Sequence, residues 1–101
     1  MSLGSFPEAD ENDPNVIYLT HTIINNEGNI AANYRKMHLF DAFNSRGDGS
    51  QKPEVIMESE NFVKGNSITE PCFSPVGYLG LSISYDVRFP ELYRHMILKG
   101  A

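Results

Sequence analysis

The chain predicts a mixed α/β domain built in layers, with strands first and a helix last. Three observations carry this. Val16 to Ile24 and Ile30 to Phe40 are rich in β-branched and aromatic residues and flank the turn-forming run Asn25-Asn26-Glu27-Gly28-Asn29, the pattern of a hairpin. Leu79, Leu81, Ile83 and Tyr85 recur at period two against Gly80, Ser82 and Ser84 on the alternate face, the pattern of a buried strand that another layer approaches closely. Pro90 then opens a segment in which Leu92, Tyr93, Met96 and Ile97 form an apolar stripe at helical spacing. Proline suits a first helical position because its φ is already helical and its missing N–H has no partner there.

Composition sets the bounds. A chain of 101 residues allows one domain at most. Its 41% hydrophobic and 21% charged residues are the proportions of a soluble globular protein. A formal charge of −5 argues against a nucleic-acid or anionic-membrane partner, since both require basic patches. No apolar run approaches the roughly 20 residues of a membrane span, and no secretory hydrophobic region stands at the start. The lone cysteine, Cys72, excludes an internal disulfide and suits a reducing, cytoplasmic compartment.

Taken in order, Met1-Ser2-Leu3-Gly4-Ser5 reads either as a cloning remnant or as the start of a strand, since Leu3 and Phe6 are apolar. Ala9 to Asn15 is an acidic loop. The strand from Val16 to Ile24 turns at Gly28, which is available for positive φ. The returning strand, Ile30 to Phe40, places Ile30, Ala32, Tyr34, Lys36 and His38 on one side and Ala31, Asn33, Arg35, Met37 and Leu39 on the other. Lys36 is thus a cation near a strand end among apolar neighbours. Asp41 to Pro53 is polar, glycine-containing and aperiodic, which predicts a loop. Its Arg46-Gly47-Asp48 is a tripeptide that some cell-surface receptors read, here weighed as a chance match. Val55 to Met57 leads into Glu58-Ser59-Glu60, and Gly65-Asn66 marks a turn. Ser67 to Phe73 predicts a short edge or irregular strand, because Pro71 cannot donate to a ladder. Ser74-Pro75-Val76-Gly77 turns into the strand 79–85, and Gly100 caps the final helix. Both ends read as cut, so residues 1–101 are expected to be a segment of a larger domain.

Ser84 stands where the buried strand gives way to the helix. A polar atom at such a turn is exposed and backed by N–H groups that favour negative charge. The position is built like that of a nucleophile. Lys36 and Glu58 are the other two polar residues of note. Each of the three has a plain alternative: a lysine snorkelling at a strand end, a solvated loop acid, and a small residue chosen for packing.

At these residues the chain resembles a family. Tyr34-Arg35-Lys36-Met37-His38-Leu39-Phe40-Asp41 resembles the lysine motif of the nitrilase superfamily, the carbon–nitrogen hydrolases. Glu58-Ser59 resembles the motif that supplies the family's second glutamate, and the run from Gly80 to Leu92 resembles its nucleophile motif. The three occur in the family's order and cover nearly the whole chain. The Arg88-Phe89-Pro90-Glu91-Leu92 run is similar to that of the nitrilase-like omega-amidases and deaminated-glutathione amidases.

The resemblance implies a four-layer αββα sandwich, usually paired through its helical layer, so a homo-oligomer is expected of the full-length protein. On this reading residues 1–101 form a partial domain, without the family's base motif and its C-terminal portion. The resemblance also implies a mechanism for hydrolysing the C–N bond of a small linear amide, the expected partner. A cysteine thiolate at the position of Ser84 attacks the amide carbon and forms a thioester. A glutamate from an earlier motif acts as general base. Lys36 and the backbone N–H of Tyr85 stabilise the oxyanion, and Glu58 positions the lysine and the substrate. No cofactor and no metal is expected. The physics is coherent: charge building on the oxygen of a poor electrophile must be met by fixed donors, and a thiol is readily activated because its pKa is about 8.5 and easily lowered.

The chain departs from the pattern at the nucleophile, where Ser84 replaces cysteine. A serine hydroxyl needs stronger activation, usually a histidine held by a carboxylate, and neither His38 nor His95 has a spacing that places it on Ser84. The chain as written is therefore expected to be inactive or severely impaired. Cys72, twelve residues earlier, reads as a small apolar side chain. Glu8 follows a proline, as the family's base often does, but it lies only 28 residues before Lys36 and better matches the non-catalytic loop before the hairpin. The base is expected outside the chain. Two rival readings stand beside this one. The first is a pseudoenzyme that keeps the fold for binding or assembly. The second is a serine hydrolase that uses Ser84, which lacks a Gly-x-Ser-x-Gly elbow.

Overall fold

An antiparallel sheet carries the chain: β1 (Ser2–Ala9), β2 (Ile17–Ile24) and β3 (Ile30–Arg35), in the order β1-β2-β3. The computed structural model describes residues 1–44 and 54–101, so Arg46-Gly47-Asp48 lies outside the described residues. The β2–β3 hairpin turns at Gly28, whose φ of 86° only glycine adopts without strain. The side chain of Asn25 accepts the N–H groups of Glu27 and Asn29, which closes the turn. The N-terminal residues left open by the sequence are strand: Ser2 pairs with Ile23 and Ala9 with Ile17.

Two short hairpins follow. β4 (Asp41–Asn44) pairs with β5 (Glu54–Met57), Asp41 opposite Met57. Here the sequence predicted loop through Asp41, and the correction has a reason. Phe43 is 77% exposed, so the strand buries too little to show a period-two signal. β6 (Cys72–Ser74) pairs with β7 (Gly77–Leu79) around the expected turn, with the Ser74 hydroxyl donating to the Gly77 carbonyl at 2.6 Å. The strand expected from Ser67 shrinks to these last residues.

Two further boundaries are corrected. The strand expected to run to Phe40 ends at Arg35. Beyond it, backbone donors leave the ladder for side chains: Met37 N–H goes to the Tyr34 hydroxyl, His38 N–H to Asp86, and Phe40 N–H to Glu58. The strand expected over 79–85 pairs only to Leu79. Leu81 and Ile83 keep the predicted alternation and are buried, but the Ile83 N–H is taken by the Asp86 carboxylate. A 3-10 turn, Ser84–Arg88, then replaces the continuing strand.

The helix α1 (Pro90–Leu98) starts at proline as expected. It ends in a Schellman arrangement: Ala101 N–H bonds the Met96 carbonyl, Gly100 N–H bonds that of Ile97, and Gly100 has φ 102°. Its buried face, Leu92 and Met96, joins Ile23, Ala32, Tyr34, Leu81 and Ile83 in one core. The leucines, isoleucines and Met96 each contribute about 1.5–3 kcal/mol by leaving water, and the small Ala32 less. The core therefore clamps the extended segment 80–83 between the sheet and the helix. The predicted close approach is present at Gly80, where a Cβ would meet Met96 Sδ at 2.7 Å.

Candidate active site

Lys36 follows β3 directly. Its backbone N–H still bonds the Leu19 carbonyl of β2 at 2.8 Å, so the residue is anchored to the sheet while its side chain turns inward. The side chain is 1% exposed, and Nζ lies 2.6 Å from a carboxylate oxygen of Glu58. A buried cation without such a partner would be costly. Glu58 opens the short 3-10 turn Glu58–Glu60 after β5, and the same oxygen accepts the Phe40 N–H at 2.8 Å. In return the Glu58 N–H bonds the Phe40 carbonyl. Asp41 braces the turn by accepting the Ser59 N–H, a bond that holds the Asp41 carboxyl below its usual range. Two of the residues singled out in the sequence are thus brought into one ion pair across 22 positions of chain.

Ser84 opens its own 3-10 turn with φ at 46°, among the described residues the one non-glycine with positive φ. A left-handed backbone at a residue with a Cβ costs about 1–2 kcal/mol, and such strain persists only where neighbouring structure enforces it. The neighbours are identifiable. His21 Nδ1 is 3.3 Å from the Ser82 carbonyl, the Tyr93 hydroxyl donates to Ser82 Oγ at 2.9 Å, and the Asp86 carboxylate holds the Ile83 N–H at 2.9 Å. The serine itself is exposed. Tyr85, whose N–H is the expected oxyanion donor, packs edge-on against Phe40 and Phe89. Among the described residues no hydrogen bond joins Ser84 to Lys36 or Glu58. Asp86 bonds residues on either side of Lys36 and the residue before Ser84.

Asp86 is the residue that sequence reasoning passed over. It is fully buried, and its two oxygens receive the Tyr34 hydroxyl at 2.7 Å, the Ile83 N–H at 2.9 Å, the His38 N–H at 3.1 Å and the His38 ring Nδ1 at 2.7 Å. Burial first, then the bond to Asp86 and its charge, push the Tyr34 hydroxyl well above its ordinary range, so it remains a donor. His38 also stacks flat on Phe89, with centroids 3.6 Å apart. The one sequence signal for this hub was an acid three residues past an apolar strand position, and it says nothing about burial.

Glu8 is engaged elsewhere. Its carboxylate receives Arg35 Nη2 at 3.0 Å and Arg35 Nε at 3.2 Å, together with the Thr20 hydroxyl. Arg35, which also covers the Tyr18 ring at 4.0 Å, is 36% exposed where its neighbour Lys36 is buried. Consecutive residues at a strand end point to opposite faces, so Glu8 and Lys36 occupy opposite faces of the sheet. His95 is exposed on α1, and Cys72 packs beside the core. A surface concavity of about 310 Å³ on the outer side of α1, lined by Pro90, Glu91, Arg94, His95 and Leu98, includes none of the expected site residues. Among the described residues there is no cluster of acids, histidines or cysteines able to hold a metal ion.

The buried, paired lysine and the strained, exposed turn are each flanked by residues bonded to the same buried carboxylate of Asp86. The comparisons show the family. The carbon-nitrogen hydrolase family matches over residues 1–101. The chain belongs to the carbon–nitrogen hydrolases. It is 52% identical over 95 residues to deaminated glutathione amidase of Dictyostelium discoideum, covering 92% of this chain and 30% of that protein. It is 40% identical over 103 residues to deaminated glutathione amidase of Bos taurus, covering the whole of this chain and again 30% of the relative. The crystal structure of the C. elegans NitFhit protein superposes with a TM-score of 0.82 at 41% identity, over 99% of this chain and 23% of that one. The α/β class is therefore that of the nitrilase fold, and the chain spans about 30% of the length of these amidase relatives. No helix among the described residues is long and apolar enough to cross a membrane.

Proposed function

We propose that this carbon–nitrogen hydrolase segment belongs to an amidase acting on small linear amides, omega-amidase-like, with Ser84 at the position of the nucleophile. In this reading Lys36 and the Tyr85 N–H meet the developing oxyanion, Glu58 holds the lysine, and the general base comes from outside residues 1–101. The observation that carries it is the Lys36–Glu58 pair at 2.6 Å together with a turn strained at the one residue where a nucleophile is expected, both flanked by residues bonded to Asp86. The similarity to deaminated glutathione amidases of Dictyostelium discoideum and Bos taurus supports the substrate class. A serine hydroxyl needs stronger activation than a thiol, usually a histidine held by a carboxylate, so the protein with Ser84 is inactive or severely impaired. The complete protein is cytoplasmic and homo-oligomeric, with a small amide as its partner and no nucleic acid or membrane.

The test is Ser84→Cys in the full-length protein, assayed for ammonia release from short ω-amides. Turnover that appears with cysteine and disappears on adding Lys36→Met is the expected result. Turnover by the unmodified protein that survives loss of Lys36 would overturn it. A second reading, a pseudoenzyme kept for binding or assembly, draws on Ser84 itself. Its signature is a folded Ser84→Cys protein that assembles normally and releases no ammonia.

A further inference from the structure

Asp86 takes no part in the chemistry proposed above, yet it is the most completely bonded side chain near it. Four donors fill its two oxygens, and they come from both sides of the site. Tyr34 and His38 stand two residues before and two residues after Lys36, and Ile83 stands immediately before Ser84. The Tyr34 hydroxyl extends the arrangement by accepting the Met37 N–H at 3.2 Å, so the residue after Lys36 is held as well.

A carboxylate accepts about four hydrogen bonds in all. One filled by backbone and side-chain donors of two segments leaves neither segment free to slide. Lys36 keeps its bond to β2, but no β-ladder among the described residues joins the lysine segment to the segment 80–83 and sets the spacing between them. Burial alone would leave the two segments free to shift by a fraction of an ångström. Directional bonds to a single buried anion do not, and a displacement of about 1 Å in a reacting group is enough to cost catalysis a large factor.

We propose that Asp86 is a positioning residue that registers the lysine segment against the nucleophile turn, with Tyr34 and His38 as its two hands on the lysine side. The proposal rests on the reading of Lys36 and residue 84 as facing one substrate. It adds that their separation is set by Asp86 rather than by a strand pairing between the two segments.

The experiment follows the thiol of Ser84→Cys in the full-length protein. Its alkylation by iodoacetamide is measured against pH, with peptide mapping to separate it from Cys72. A lysine held close lowers a thiol's pKa below about 8.5 and speeds its alkylation at neutral pH. In the Ser84→Cys background we expect Asp86→Asn to slow alkylation at pH 7 by about threefold or more, as the thiol titration returns toward its ordinary value. Tyr34→Phe, which keeps the core volume and removes one bond of the clamp, moves it in the same direction and decides the matter if Asp86→Asn does not fold. Ile23→Val, in the same core but off the clamp, leaves the titration in place although it lowers stability. If Lys36→Met moves the titration while folded Asp86→Asn and Tyr34→Phe proteins do not, the positioning role is overturned and the functional reading stands. If Lys36→Met itself moves nothing, the functional reading falls, and the proposal with it. If Ile23→Val moves the titration as far as Tyr34→Phe, the effect is one of general stability and the proposal is overturned.

Discussion

Lys36 Nζ and Glu58 Oε2 stand 2.6 Å apart, with the lysine 1% exposed and the glutamate 25%. Removing one partner strands a charge, so Glu58→Ala leaves a buried ammonium and frees the Phe40 N–H. We expect a loss of about 2–3 kcal/mol in denaturant unfolding, below the range for a fully enclosed pair because Glu58 is partly solvated. The double variant Lys36→Met, Glu58→Leu recovers most of it. A Glu58→Ala protein with an unchanged midpoint would show that water replaces the carboxylate at no cost.

The strain at Ser84 has a measurable size. Glycine adopts a φ of 46° without penalty. Ser84→Gly is expected to stabilise the fold by roughly 0.5–1 kcal/mol, and Ser84→Val to destabilise it, since a branched side chain is worse in the left-handed region. Thermal melts of the two variants moving in the same direction would show that the turn is not strained.

Two glycines separate hard from soft crowding. A Cβ on Gly65 would lie 2.2 Å from the Arg35 carbonyl oxygen, which is backbone, whereas one on Gly80 would lie 2.7 Å from Met96 Sδ, the end of a flexible side chain. Gly65→Ala is expected to cost about 1–3 kcal/mol and to break the bond from its N–H to the Lys36 carbonyl. Gly80→Ala costs less. Equal unfolding midpoints for the two would refute the distinction.

Acid acts through Glu8. The Arg35 hydrogen bonds hold its pKa below the ordinary 4.5 against an opposing desolvation effect, and the Thr20 bond adds to the lowering. A depressed carboxylate contributes stability that is present above its unfolded value and lost as pH falls through its folded value. The contribution of this pair is therefore complete above about pH 4.5 and fades below it. Glu8→Gln is expected to lower stability at pH 7 and to flatten that part of the pH–stability curve. A curve of unchanged slope would show that the pair contributes nothing.

The amino-acid sequence by itself determined the β2–β3 hairpin, the β6–β7 turn, the proline start and glycine end of α1, and the polar positions 36, 58 and 84. These follow from local chemistry: side-chain periodicity, and the φ preferences of Gly28, Gly77, Pro90 and Gly100. Only the tertiary structure decided where strands stop and how the polar residues meet. β3 ends at Arg35 because Tyr34, Glu58 and Asp86 capture the next backbone donors, and two of those acceptors lie 18 and 48 residues away in sequence. Asp86 carried no separate signal of burial in the sequence, because burial is a property of what folds over a residue and leaves no trace in its own letter. Its four donors, from Tyr34, His38 and Ile83 on two separate stretches of chain, become neighbours only once the sheet and α1 close on the core.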